Sequence, residues 1–534
     1  MLRLRASDSP QLKQWMERKA DMTSPQIQNE ILQLYSQDIV RKIVDEVHNA
    51  GSFAVMVDGT QDISRKEQLS ICIRYVDQDL NPVEQFVGLY EPPSTTGEVL
   101  ASCIKDALVR LQLPLSRLRG QTYDGASNMS GCYNGCQALV SKDNPLALYV
   151  HCGAHCANLV SQSVSEAVVL VRNAMQTVQE LGKLFSQSIS CRTTFSNIAE
   201  SEYDIAKVRQ IRPLCPTRWL VRVRAIQDIL SQYEAILDCL EATASSHSHV
   251  SARAMGLRTQ LDCGDTLLGL KMAYQVFGVI EQFNRSLQST SQSVAGMLAA
   301  VSETIDNLVA LREDKVFDEL LAETTAFQTA LNMKPVSLPR HRKTPKCLSG
   351  VAVDRVATTV SEHYRPMFYS LIDTAVVQLK ERFNSVGLIK YGSIEDVLLS
   401  GIVNEELLEP FVELNVSDLK LQLQHFRRKR PVKSVRETIQ IMQEMANEVR
   451  GEYAEVEKLV RLLLVNPASS CEAERSFSAL RRLKTWLRST MTQVRLNAVA
   501  VCHIHQHLLD SVNDERIVQS FVAKSESRAL IFGK

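Results

Sequence analysis

Two aspartates, Asp58 and Asp124, have the clearest claim to chemistry in this sequence, because each follows a strand-like run and is followed at once by glycine. Residues 52–60 read SFAVMVDGT, and residues 118–123 lead into Asp124-Gly125-Ala126-Ser127-Asn128. An acid at the end of a buried strand is held rigidly, and such positions are where oxygen ligands grip hard divalent cations. Taken alone, Asp58 more simply opens a turn with Gly59. A third acid, Glu474, lies far along the chain in NPASSCEAERSFS. There Ser469 or Ser470 can cap a helix that buries Ala473, Phe477, Leu480, Leu483 and Leu487 and leaves Glu474, Ser478 and Arg481 on another face. By itself, a first-turn acid of this kind does no more than favour the helix dipole.

The elements around these acids give them a frame. Residues 23–50 read as a helix capped by Thr23 or Ser24, with Pro25 in its first turn and Gly51 as the stop. It feeds the Asp58 strand, and strands at 68–76 and 83–90 follow across short connections, as in an antiparallel meander. Helical spacing at 95–113 ends at Pro114; a strand at 118–123, a short helix at 135–141, a strand at 146–151 and one long helix from Cys152 to about Phe185 come next. From about 200 to 455 the pattern is helical alone, and residues 494–509 form a nearly all-round apolar helix that must be buried. His503 and His507 in that last helix are one turn apart, but no acid or cysteine nearby completes a metal site.

Three antiparallel strands, a helix and further parallel strands, with acids ending the first and fourth, describe an RNase H-like core. In that arrangement the first and fourth strands are neighbours, so Asp58 and Asp124 meet. Two carboxylates at close range repel unless a cation lies between them, which points to Mg²⁺ or Mn²⁺. Two such ions about 3.5 to 4 Å apart can activate an attacking oxygen and steady a leaving one in phosphodiester chemistry. Glu474 is the candidate third ligand.

Composition sets the limits. The chain has 534 residues, too many for one ordinary core, and no apolar run approaches the roughly 20 residues that span a bilayer. Its start lacks the apolar core of a secretory signal, and thirteen cysteines without a pairing scheme fit a reducing compartment. Sixty basic and sixty acidic residues cancel, so only local patches can meet nucleic acid. Two such patches stand out: Arg340, Arg342, Lys343 and Lys346 around Pro345, and Arg427, Arg428, Lys429 and Arg430 beside Pro431. Short basic runs are more often plain solvated surface.

Five segments in order carry a resemblance: VDGTQD around Asp58, TYDGASNM around Asp124, HCGAHCANLV around Cys152 and His155, CPTRWL around Trp219, and NPASSCEAERSFS around Glu474. Each is weak alone, but together the chain resembles hAT-superfamily (hobo, Activator, Tam3) transposases and their derivatives, nearest the zinc finger MYM-type protein 1-like branch. The resemblance implies an α/β plus all-α chain: a lead-in at 1–50, an RNase H-like core at 51–199 interrupted by a helical insertion at 200–455, and a last acidic helix with a C-terminal dimerisation region at 456–534. It implies that Asp58, Asp124 and Glu474 are the acidic triad for Mg²⁺- or Mn²⁺-dependent DNA cleavage and strand transfer. It implies that Cys152 and His155 are the Cys-x-x-His motif, with the histidine near the scissile phosphate, and that Trp219 stacks on a displaced base. Arg475, with Phe477 and the helix after it, falls in the dimerisation region. DNA and a second copy of the chain are the expected partners, in the nucleus, with no membrane and no small-molecule substrate.

Alternatives stay open beside this. Cys152 and His155, with Cys132, Cys136 and Cys156 not far off, could form a structural zinc site, although the spacing fits no standard finger, and no such site is assigned. No cysteine or histidine lies in residues 1–47, so the zinc-binding module with which family members read DNA ends is not expected. That leaves a fragment, a truncated gene product or a domesticated protein that keeps fold and dimerisation without cutting, and whether the chain is an enzyme is open. An actin-like ATPase shares the core but needs a second glycine-rich phosphate loop that this sequence does not offer.

Overall fold

A computed structural model describes residues 5–17, 22–201, 203, 208–214, 221–246, 249–289, 292–339 and 357–532. The chain divides into two compact units: residues 1–149, 401–433 and 437–534 form the first, and residues 150–400 with 434–436 the second. The division therefore falls earlier, at both ends, than the expected insertion at 200–455.

The first unit is built on a five-stranded sheet of order β3-β2-β1-β4-β5, from β1 (Phe53–Gln61), β2 (Glu67–Val76), β3 (Pro82–Tyr90), β4 (Leu118–Tyr123) and β5 (Leu148–His151). β1 to β3 are an antiparallel meander, and β1 runs parallel to β4, with Met56 opposite Thr122. This is the RNase H-like arrangement expected from the sequence. Phe53 to Val57 and nearly all of β2 are buried, as strands covered on both faces must be. Helix α1 (Pro25–Ala50) starts at Ser24, whose Oγ accepts the Ile27 amide, and buries Ile39, Ile43 and Val47. Helices α2 (Gly97–Arg110) and α3 (Cys136–Asp143) pack together.

The second unit, among the described residues, is helical apart from the last two residues of β5 and one isolated bridge. The single helix expected from Cys152 to Phe185 is two, α4 (Gly153–Ala167) and α5 (Val169–Gln187). Val168 is extended (φ −127°, ψ 128°) in a run of β-branched residues that resist the helical χ1. Further along, Arg222–Leu230 and Tyr233–Ser245 are separate helices, parted at Ser231 and Gln232. Helix α6 (Gly264–Leu287) packs against α5 at Gly269, where an added Cβ would sit 3.0 Å from the Leu170 carbonyl oxygen. Among the described residues no single helix is long and apolar enough to cross a membrane.

Back in the first unit, α7 (Val416–Lys429) packs on α8 (Ala454–Val465), and α8 lies against β2 and β4. Asn466 follows α8, and its Oδ1 approaches β4 so closely that a Cβ on Gly120 would lie 2.4 Å from it. Helix α9 (Cys471–Leu483) packs on β1, β2 and β3, and α10 (Gln493–Ile504) on α1 and β3. Leu487, expected on the buried side of α9, is 84 % exposed, because the helix stops at Leu483 and the chain turns away at Lys484. The apolar helix expected at 494–509 breaks at His505 and buries only part of its surface; Val494 is exposed.

Candidate functional site

Asp58 is the first residue of β1 to leave the buried row that runs from Phe53. Its Oδ1 accepts the Gly59 amide at 2.8 Å, but no turn opens there, because β1 stays paired with β2 as far as Gln61. The β1–β4 pairing has Met56 opposite Thr122 as its last pair; Asp58 stands two residues further along β1, and Asp124 two residues past Thr122, just beyond the end of β4. Asp124 Oδ1 accepts the Ala126 amide at 3.3 Å.

Glu474 arrives on α9. That helix is held by Ser476, whose hydroxyl meets the Ser70 hydroxyl at 2.7 Å, and Ser70 is the β2 residue paired with Asp58. A helix bonded to the residue beside Asp58 carries its first-turn acid into the same neighbourhood.

Electrostatics records the convergence. Burial pushes the Asp58 carboxyl up to about 8, with the charge of Asp124 and then that of Glu474 adding to the rise while the Gly59 amide opposes it. Burial likewise pushes Glu474 up to about 7, against the pull of Arg475 and Arg481. A pocket of about 150 Å³ opens at this edge, lined in part by Gly59, Gln68, Thr95, Asp124 and Asn128.

Three hard oxygen donors, two of whose charges add to the burial that raises Asp58, are the right chemistry for Mg²⁺ or Mn²⁺, since a cation offsets that repulsion. Yet among the described residues no three histidine, cysteine, aspartate or glutamate side chains are drawn together closely enough to hold an ion. An ion here would take fewer protein groups and keep water for the remainder, as Mg²⁺ readily does.

Other expected residues fall elsewhere. Cys152 and His155 belong to the second unit, where Cys152 is the buried residue before α4 and His155 stacks on His151 with ring centroids 5.6 Å apart. Burial, then the charges of His155 and Arg382, push His151 down to about 4, so both rings stack without charge repulsion near neutral pH. Arg475 pairs with Glu472 at 2.8 Å. Trp219, Arg340, Arg342, Lys343 and Lys346 lie outside the described residues.

The second basic run divides in the structure. Arg428 and Lys429 are exposed at the end of α7, where cations suit the helix dipole, whereas Arg430 lies over the Phe426 and Tyr453 rings at 5.9 and 5.8 Å. Arg427 is half-buried against Gly401. His505 is buried with Nε2 2.7 Å from the Phe86 carbonyl oxygen, and His503 and His507 are exposed.

One pair escaped sequence reasoning although half of it lies inside VDGTQD. Asp62, just past β1, meets Lys484 at 2.5 Å with both side chains almost wholly buried. Asp62 also accepts the Ser64 and Lys66 amides and the Gln68 side chain. This network ties the far end of α9 to the β1–β2 turn.

Residues 6–135 match the RNase-like domain of ZMYM1/FAM200, and residues 423–508 match the hAT family C-terminal dimerisation region. The human 52 kDa repressor of the inhibitor of the protein kinase is 23% identical over 524 residues, covering 93% of this chain and 68% of that protein. Its mouse counterpart is 22% identical over 525 residues, with the same coverage. A sheet with the RNase H-like strand order, the two matched segments near opposite ends and a similarity that runs nearly end to end make this chain similar to hAT transposase-derived proteins, with an RNase-like segment of the ZMYM1/FAM200 kind and a hAT-type C-terminal dimerisation region.

Proposed function

We propose that this chain is a nuclear, self-associating, DNA-binding descendant of a transposase, and that Asp58, Asp124 and Glu474 hold Mg²⁺ or Mn²⁺ for DNA strand cleavage. The observation that carries the reading is the raised Asp58 carboxyl, lifted by burial and by both other acids. When bound, the ion supplies an activated water and a stabilised leaving oxygen. The chain's own contribution is to aim two carboxylates from adjacent strands and one from a docked helix, while Arg475 and Arg481 draw Glu474 toward its ionised form. The dimerisation match at 423–508 supports self-association, and a relative named as a repressor supports a nuclear role.

Incubation with duplex DNA and Mn²⁺ tests the reading: nicking by wild type that disappears in Asp124→Ala supports it, and equal nicking by both removes it.

A second reading is an interaction factor that keeps fold and dimerisation but does not cut. It is favoured by the acids not being gathered into a closed ligand set and by the relatives' printed name. A dimer in light scattering with no nicking under any divalent cation is its signature.

A further inference from the structure

Trp486 is 78 % exposed and Leu487 84 %, side by side in the single 3₁₀ turn that follows α9. An apolar pair of that size standing in water has a cost that a soluble surface ordinarily avoids. Around it Arg481, Arg482 and Arg488 are all exposed. Among the described residues the ion pairs of this stretch are Arg475–Glu472 and Lys484–Asp62, and neither engages those three arginines.

The segment is clamped rather than loose. At one end Lys484 is buried against Asp62; at the other, Ser64 Oγ donates to the Ser489 carbonyl at 2.8 Å. Asp62 and Ser64 both belong to the turn between β1 and β2, so the β1 hairpin that carries Asp58 also fixes Trp486. Arg481 is close enough to Glu474 for its charge to lower that acid's pKa, so the patch adjoins the acidic site.

We propose that this patch is a contact for single-stranded DNA, with Trp486 stacking on a base, Leu487 covering the ring edge and Arg481, Arg482 and Arg488 meeting phosphates. Aromatic stacking inside a positive groove is how strands are held without regard to sequence. Charge favours this occupant over a second copy of the chain, although the patch lies inside the segment matching the dimerisation region. In an isologous pair the patch at the axis faces itself, and three arginines would oppose three arginines; a phosphate backbone brings the opposite sign. The inference rests on DNA being a partner but not on cleavage.

Fluorescence anisotropy of a labelled oligothymidylate with the full chain, at several salt concentrations, tests it. Trp486→Ala is expected to weaken binding roughly tenfold and Trp486→Phe to restore most of it. Replacing the three arginines by alanine is expected to flatten the slope of log K against log salt by about 2. If wild type binds and Trp486→Ala binds equally, the patch is not the contact and this inference falls while the DNA reading stands. If wild type does not bind, both fall. If Trp486→Ala leaves binding intact but turns a dimer into a monomer in light scattering, the occupant is a second copy and the inference is overturned.

Discussion

The hydroxyls of Ser476 and Ser70 meet at 2.7 Å across 406 residues of sequence, and Ser70 stands opposite Asp58 in the β1–β2 ladder. Through this contact the helix bearing Glu474 is registered on the strand next to the first acid. Ser476→Ala is expected to cost about 1 kcal/mol of stability, the usual net value of one buried hydrogen bond. Chemical denaturation of wild type, the single variants and Ser70→Ala/Ser476→Ala measures it; fully additive effects would mean that the two hydroxyls do not act as a pair.

Lys484→Met should be far more damaging. It leaves Asp62 charged, buried and without its cation, at a cost of about 3–5 kcal/mol. Adding Asp62→Asn should recover part of that loss, as a double-mutant denaturation cycle would reveal. Burial favours the neutral form of Asp62, but Lys484 and the Lys66 and Ser64 amides outweigh it and hold the carboxyl below its usual range. Its contribution is therefore present above the unfolded-state carboxylate pKa and is lost as pH falls through the lower folded value.

Asp58 behaves in the opposite sense. Its folded carboxyl titrates near 8, against about 4 in an unfolded chain, so between these values the folded state keeps a proton that the unfolded state has shed. Stability falls across that window as pH rises, and the whole penalty is in force above about 8. In chelator, Asp58→Asn should melt higher than wild type at about pH 9 and much closer to it at about pH 4. Mn²⁺ should raise the melting temperature of wild type at the higher pH and leave the variant unmoved; parallel pH profiles in scanning calorimetry would contradict this.

Gly120→Ala tests the packing behind the site. The new methyl would lie 2.4 Å from Asn466 Oδ1 and 3.0 Å from the Ala54 Cβ, with strand and side chain both buried, and the expected loss is about 1–3 kcal/mol. Asn466→Ala in the same chain removes the nearest clash and should recover some of it in denaturant titration.

Much of the core was legible because its signals are local. An apolar run ending in Asp-Gly set β1, a second strand-like run before Asp124-Gly125 set β4, the Asn81-Pro82 turn separated β2 from β3, and Ser24 with Gly51 bounded α1. The misreadings have local causes too. Helical spacing continues past Leu483 to Leu487, but Lys484 is drawn inward to Asp62 and ends the helix, which turns Trp486 and Leu487 outward. Val168 breaks a stretch whose apolar spacing alone looks continuous. The Lys484–Asp62 pair was invisible because its members are 422 residues apart and each looks like an ordinary surface charge. The raised Asp58 carboxyl, likewise, comes from burial first and then from the charges of Asp124 and Glu474, not from the DGT that contains it.

The sheet is complete in sequence at His151, whereas the helix that covers β1, β2 and β3 with Ala473, Phe477 and Leu480 begins only at Cys471. During synthesis at about 5–20 residues per second, those strands wait for tens of seconds with an apolar face toward water. A chaperone that binds extended apolar segments should therefore hold the nascent chain in that interval, and release should follow emergence of α9 from the ribosome rather than completion of the sheet.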